Sequence, residues 1–105
     1  MKLPVGAGLL EACVLAVASR GDTYGYQLTQ ALKDVVGLSE STLYPVLRRL
    51  MQSGALSSYD MPVDGRNRRY YRLTPQGKEQ YGAYREAWQA HKTELDKIIL
   101  EETHE

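Results

Sequence analysis

The amino-acid sequence predicts a mainly α-helical chain with one small β-hairpin and a long helix at its end. Three observations carry this. Apolar residues recur at helical spacing in three short segments before residue 54. A stretch with Pro and Asp-Gly turn signals follows, flanked by strand-like residues. Beyond Pro75 a heptad seam runs for three repeats.

The elements follow in order. Leu9, Leu10, Cys13, Val14 and Val17 place a buried helix over about residues 8–18, closed by "SRGD". Thr23 is a fair N-cap for a second helix, with Leu28, Leu32 and Val35 or Val36 as its stripe and Gly37 as its stop. In the third helix, about 42–53, Leu43, Val46, Leu47 and Leu50 fall at i, i+3, i+4 and i+7. Ser39 and Ser41 both offer N-caps, and a start near Thr42 puts Pro45 in the first turn, where its missing N–H costs little. Residues 55–61 read as a strand, 62–67 as a long hairpin tip and 68–73 as the returning strand. Thr74 caps and Pro75 opens the last helix. Its seam of Gly77, Tyr81, Tyr84, Trp88, His91, Leu95 and Ile98 needs a partner surface, and a second copy of the chain is the economical one.

Composition narrows the classes. A chain of 105 residues fits one domain, with no Phe and one Trp, so Leu, Val, Ala and Tyr fill the core. The single cysteine, Cys13, allows no intrachain disulfide and suits a reducing compartment. No stretch is apolar for the length a membrane span needs. The N-terminus has only one early lysine, and Glu11 interrupts its apolar run, so it reads as the first helix of a soluble cytoplasmic protein. The net charge is zero but segregated: residues 44–72 sum to +4 and residues 79–105 to −4. A basic middle attracts a polyanion.

Three helices, a hairpin and a helix, with a Gly-containing turn between the middle two, is the order of a winged helix-turn-helix. Its second motif helix enters a DNA major groove and reads base edges. With the apolar face turned inward, Ser41, Tyr44, Pro45, Arg48 and Gln52 face out, and Ser41, Thr42 and Tyr44 lie near an end whose N–H groups favour phosphate. Arg48 suits a guanine or a phosphate; Arg49 beside it belongs to the same DNA-binding set. Pro45 offers a flat apolar surface to a thymine methyl; alternatively Tyr44 and Pro45 only shape the helix start. The wing arginines Arg66, Arg68 and Arg69 suit phosphates or a minor groove, with Asp64 as their one nearby acid; the alternative is a solvated face. Tyr71 and Leu73 should pack inward, leaving Tyr70 at the surface or on a neighbouring helix, with Arg72 on its face. For Tyr24 a phosphate contact and a core position both stand; Tyr26 reads as core, and Gly25 as a point of close packing.

Three blocks carry a family resemblance: "TYGYQL" at 23–28, "STLYPVLRRL" at 41–50 and "GRNRRYYRLTPQGKE" at 65–79. In this order and spacing they resemble the PadR family of bacterial transcriptional regulators, over about residues 9–88. The resemblance implies a winged helix-turn-helix DNA-binding domain in residues 1–73 and a C-terminal dimerisation helix in 74–105. It implies a homodimeric repressor of the bacterial cytoplasm, nucleoid-associated when bound to a pseudo-palindromic operator in double-stranded DNA. The short tail is similar to the subfamily with a single C-terminal helix, which includes multidrug-responsive repressors with a tryptophan on it; Trp88 matches that position. Two Trp88 rings could then sandwich a small, planar, drug-like effector and shift the spacing of the wings. Read without the resemblance, Trp88 is a dimer-core residue, together with Tyr81, Tyr84, His91, Leu95 and Ile98.

Catalysis has little support. His91 lies in the seam, His104 near the end and Cys13 in a buried helix, with neither zinc spacing nor a nucleophile–base pair. The expectation is no enzyme, no metal and no cofactor. The competing reading is an RNA- or protein-binding winged-helix adaptor without an effector. RNA recognition wants exposed stacking rings, for which Tyr44 and Tyr70 are the candidates.

Overall fold

The computed structural model describes residues 7–101, so His104 lies outside the described residues. Four helices and a three-stranded antiparallel sheet follow one another as α1 (Ala7–Ala18), β1 (Thr23–Tyr24), α2 (Gly25–Val36), α3 (Glu40–Gln52), β2 (Leu56–Val63), β3 (Arg66–Leu73) and α4 (Pro75–Ile99). This is a winged helix-turn-helix with a long C-terminal helix.

α1 is the central element and packs against α2, α3, α4 and β3. A helix covered on several sides needs apolar residues on several sides, so its stripe is broad. Val14 and Leu15 are fully buried, with Leu10, Cys13 and Val17 packed at the margin. Burial pushes the Cys13 thiol pKa up. Leu28 and Leu32 of α2, Leu43, Val46, Leu47 and Leu50 of α3, and Tyr71 of β3 join them in the core, with Leu38, Ala55 and Leu56. Each fully buried Leu is worth about 1.5–3 kcal/mol.

Several boundaries differ from the sequence reading. Thr23 is not the cap of α2. With Tyr24 it forms β1, paired Thr23↔Tyr71 and Tyr24↔Tyr70. Thr23 is buried and its hydroxyl donates to Gln27 Oε1 at 2.8 Å. The later start of α2 turns Tyr26 outward, 69 % exposed, which overturns its core placement. Val36 lies at the core margin while Val35 is exposed, and Gly37 closes α2 in the left-handed conformation, φ 69°.

α3 begins at Glu40 with Ser39 as N-cap, the earlier of the two starts the sequence allowed, a turn from Ser39 ahead of Thr42, so Pro45 sits in the second turn. The helical hydrogen bond to the Ser41 carbonyl is missing there, at a cost of roughly 3 kcal/mol. Burial of Leu43, Val46, Leu47 and Leu50 outweighs it.

The hairpin tip is shorter than expected. Only Asp64 and Gly65 lie outside the strands, with φ of 51° and 77°, as a primed two-residue turn requires. Pro62 stands in β2, opposite Asn67. With Val63↔Arg66 closing the turn, Pro62↔Asn67 is a pair that exchanges no backbone bonds, and β2 is an edge strand. Proline is tolerated there.

Thr74 caps α4, accepting from Gly77 N at 2.9 Å and donating to Gly54 O at 2.6 Å. The heptad seam then divides. Gly77 is buried, and Tyr81 and Tyr84 pack on the chain's own core. Trp88, His91 and Ile98 are exposed and Leu95 half-exposed. At about 1.5 Å per residue, the 25-residue α4 is roughly 37 Å long. It accounts for much of the 66 Å long axis of the molecule. No helix among the described residues is long and apolar enough to cross a membrane.

Candidate nucleic-acid interface

Ser41, Thr42, Tyr44 and Arg48 are exposed on α3, and Pro45 is half-buried beside them. The Ser39 hydroxyl lies 3.0 Å from that of Ser41 and 3.1 Å from that of Thr42 rather than capping the backbone. The α3 end therefore presents a cluster of hydroxyls.

Tyr44 reaches across to α2. A Cβ at Gly25 would come within 2.8 Å of the Tyr44 hydroxyl oxygen, so glycine permits this approach. The expected close packing at Gly25 is with a residue of α3. Tyr44 thereby closes one side of an open cleft of about 440 Å³, lined by Tyr24, Gly25, Tyr26, Tyr44, Arg68, Arg69 and Tyr71. The start of α2, the start of α3 and the wing strand meet here. The N-cap Tyr24 makes no side-chain cap bond, and the first residues of α2, Gly25 and Tyr26, line the cleft. Burial raises the Tyr71 pKa above that of a free tyrosine.

The wing arginines separate by strand alternation. Arg68, Tyr70 and Arg72 lie on the outer face, where they join a row of rings. The Arg68 guanidinium sits 4.1 Å from the Tyr24 ring centroid. Tyr24 meets Tyr70 edge-on at 5.4 Å, and Tyr70 stacks on Tyr59 at 5.5 Å. Arg72 lies 4.9 Å over Tyr59. Asp22 anchors the far end, accepting from the Tyr59 hydroxyl at 2.6 Å and from Arg72 Nη2 at 3.3 Å. The Tyr59 hydrogen bond, reinforced by Arg72, holds the Asp22 carboxyl below the usual range. Each exposed cation–π contact is worth about 0.5–1 kcal/mol, so the row braces the wing and orients Arg68.

Arg69, on the other face, pairs with Asp60 across the hairpin at 3.2 Å, a partner the sequence reading did not identify. Both groups are largely exposed, so the bond is worth no more than about 1 kcal/mol and exchanges readily. Arg66 is exposed at the tip. Among the described residues neither Arg48 nor Arg66 has a carboxylate partner. Arg49 turns the other way, its Nε donating to Glu11 Oε2 on α1 at 3.0 Å. The sequence-predicted set is thus brought together at the cleft for Tyr24, Tyr44, Arg68 and Arg69, with Arg48 and Arg66 beyond it and Arg49 committed to α1. Three features went unseen in the sequence: the ring row, the Asp22 anchor and Glu11. The alternation of Arg68, Tyr70 and Arg72 was the available signal for the row.

The pattern of the Transcriptional regulator PadR-like family matches residues 14–83, two thirds of the chain. The chain belongs to the PadR-like family of transcriptional regulators. A transcriptional regulator of Mycobacterium tuberculosis, Rv3488, is 44 % identical over 66 residues, 62 % of each chain. An uncharacterised protein of Lysinibacillus sphaericus is 31 % identical over 97 residues, 88 % of this chain and 89 % of that one. Among solved structures, smu.1704 of Streptococcus mutans superposes with a TM-score of 0.89 at 37 % identity, covering 100 % and 99 % of the two chains. A PadR-like transcriptional regulator of Bacillus cereus gives 0.81 at 28 % identity, covering 90 % and 95 %. The family match includes every cleft residue and stops before Trp88, so the exposed seam of α4 lies outside it.

Proposed function

We propose that the chain is a homodimeric, sequence-specific DNA-binding regulator that acts as a repressor, with its DNA-binding unit in residues 1–73 and its dimerisation helix in 74–105. The observation that carries this reading is the cleft, where the uncapped start of α2, the hydroxyl-rich start of α3 and two wing arginines converge. A groove lined with tyrosyl and guanidinium groups beside the start of a helix suits a backbone phosphate. A phosphate seated there sets the register of α3, whose Ser41, Thr42, Tyr44, Pro45 and Arg48 then meet base edges in the major groove. Arg66 at the tip follows the backbone or enters the adjacent minor groove.

The exposed half of the α4 seam, Trp88, His91, Leu95 and Ile98, supports pairing with a second copy. Tyr81 and Tyr84 serve chiefly to dock α4 on its own subunit. Two Trp88 rings facing each other would accept a planar effector and alter the distance between wings. Tyr70 is taken up between Tyr59 and Tyr24, which weakens the RNA-stacking alternative.

The test is selection of bound duplexes from random DNA at stated salt. The expected product is a pseudo-palindrome whose half-sites lie about one helical turn, or a multiple of it, apart. Failure to enrich any duplex, or binding without salt dependence, would overturn the reading.

A further inference from the structure

We infer that Glu11 is a positioning residue that couples the DNA-facing helix α3 to the tail helix α4. The inference rests on the DNA-binding reading above and adds a route between its two ends. Glu11 is the one charged residue in the otherwise apolar α1. Its side chain is 16 % exposed, and both carboxylate oxygens are used. Oε1 accepts from the Tyr84 hydroxyl of α4 at 2.8 Å, and Oε2 accepts from Arg49 Nε of α3 at 3.0 Å.

The position of the partners matters. Arg49 follows Arg48 on the recognition helix, and Tyr84 stands one turn before Trp88 on the exposed seam. A tilt of α4 that moves Tyr84 pulls on a carboxylate that also restrains Arg49. A largely buried carboxylate is costly to leave with one of its two donors lost, which ties the three groups to one another. The arrangement explains why Arg49 is withheld from the DNA face: a free guanidinium there would add phosphate affinity without sequence preference.

Trp88 is the only tryptophan, so its emission reports the tail. The experiment titrates the full chain, and the E11Q and Y84F variants, with the selected operator and with a random duplex of equal length. The operator should shift Trp88 emission in the unaltered protein. Both variants should bind operator about 5-fold or more weakly and lose the emission response, with no loss on random duplex, which E11Q, having freed Arg49, should bind as tightly as the parent or more tightly. The E11Q/Y84F double variant should be no worse than E11Q alone, since both changes cut one route. Thermal unfolding at matched concentration should show both variants folded. Equal losses on operator and random duplex, strictly additive effects, or an emission response that survives in both variants would overturn the coupling. If the unaltered protein binds operator with Trp88 silent, the coupling alone falls. If it binds no duplex at all, the DNA-binding reading falls and takes the coupling with it.

Discussion

Replacing Gly77 with alanine sets two physical effects of opposite sign against each other. Gly77 lies in the first turn of α4 and is the buried residue of that helix. On helix propensity alone, alanine in place of glycine gains about 1 kcal/mol. The packing says otherwise. A Cβ at residue 77 would collide with the Ala55 carbonyl oxygen and come within 2.7 Å of Leu73 Cδ1. The leucine methyl can swing away, but the carbonyl is backbone, and it accepts from Thr74 N and the Thr74 hydroxyl, both at 3.1 Å. Relief therefore means lifting α4 off residue 55. That loosens the two Thr74 bonds, at about 1 kcal/mol each, and adds an overpacking cost of about 1–3 kcal/mol. Less the propensity gain, the loss is about 2–4 kcal/mol. For a domain of this size it lowers Tm by roughly 10 °C or more. The assay is urea or thermal unfolding of both proteins at one concentration, because the proposed dimerisation would make Tm concentration-dependent. Gly82 is the internal control: it is exposed, with nothing described within 4 Å of its Cβ position, so G82A should stabilise by up to about 1 kcal/mol. A Gly77→Ala protein as stable as the parent, or more so, would refute the claim that α4 is clamped at residue 55.

Other consequences can be measured directly. Changing Arg66 and Arg68 to Ala should weaken all duplexes alike and reduce the slope of log K against log salt by about one unit per lost phosphate contact. Unchanged affinity and slope would remove the wing from the interface. Arg48→Ala should relax sequence preference at one base position by roughly 1–3 kcal/mol; a uniform loss would make Arg48 a phosphate contact. Trp88→Glu or Leu95→Glu should yield monomers in sedimentation, and a dimer that survives both changes would rule out the exposed seam as the interface. Asp22→Asn tests the anchor of the ring row. Because the folded-state pKa of Asp22 is depressed, its contribution is in place above about pH 4 and is lost as pH falls through the folded value. The stability difference between parent and variant should therefore be largest near neutrality, stay under about 1 kcal/mol for so exposed a group, and shrink below pH 4.

What could be read in advance depended on whether the signal was local. The buried face of α3 was legible because Leu43, Val46, Leu47 and Leu50 sit within two turns. The start of α4 was legible because Thr74 and Pro75 act on their own neighbours. β1 was not, because two residues make a strand only once Tyr70 and Tyr71 of β3, far along the chain, pair with them. Tyr26 was misplaced for the same reason: its facing depends on where α2 starts, and β1 sets that start. The Asp60 partner of Arg69 lies across a hairpin whose register hung on a two-residue turn read as a longer one. The α4 seam was found as a stripe, but periodicity does not say who buries it. That is decided by the neighbours: Gly77 is buried against residue 55, Tyr81 and Tyr84 pack on the core with Glu11 of α1 holding Tyr84, and Trp88 is left exposed.

The same pairings divide the arginine-rich segment by task. Of the six arginines between residues 44 and 72, Arg49, Arg69 and Arg72 each meet a carboxylate, those of Glu11, Asp60 and Asp22. Arg48, Arg66 and Arg68 meet none among the described residues, and Arg68 is instead laid against the Tyr24 ring. An arginine already paired must give up its partner before it can hold a phosphate. For the Glu11 pair, with its half-buried acid, that leaves a charge stranded; for the open Asp60 pair the cost is no more than about 1 kcal/mol. The proposed DNA contacts therefore rank by availability: Arg48, Arg66 and Arg68 first, Arg69 by exchange, and Arg49 and Arg72 as braces. A ring holds a guanidinium in place without neutralising it, which is why Arg68 belongs with the contacts although it is as firmly positioned as the braces.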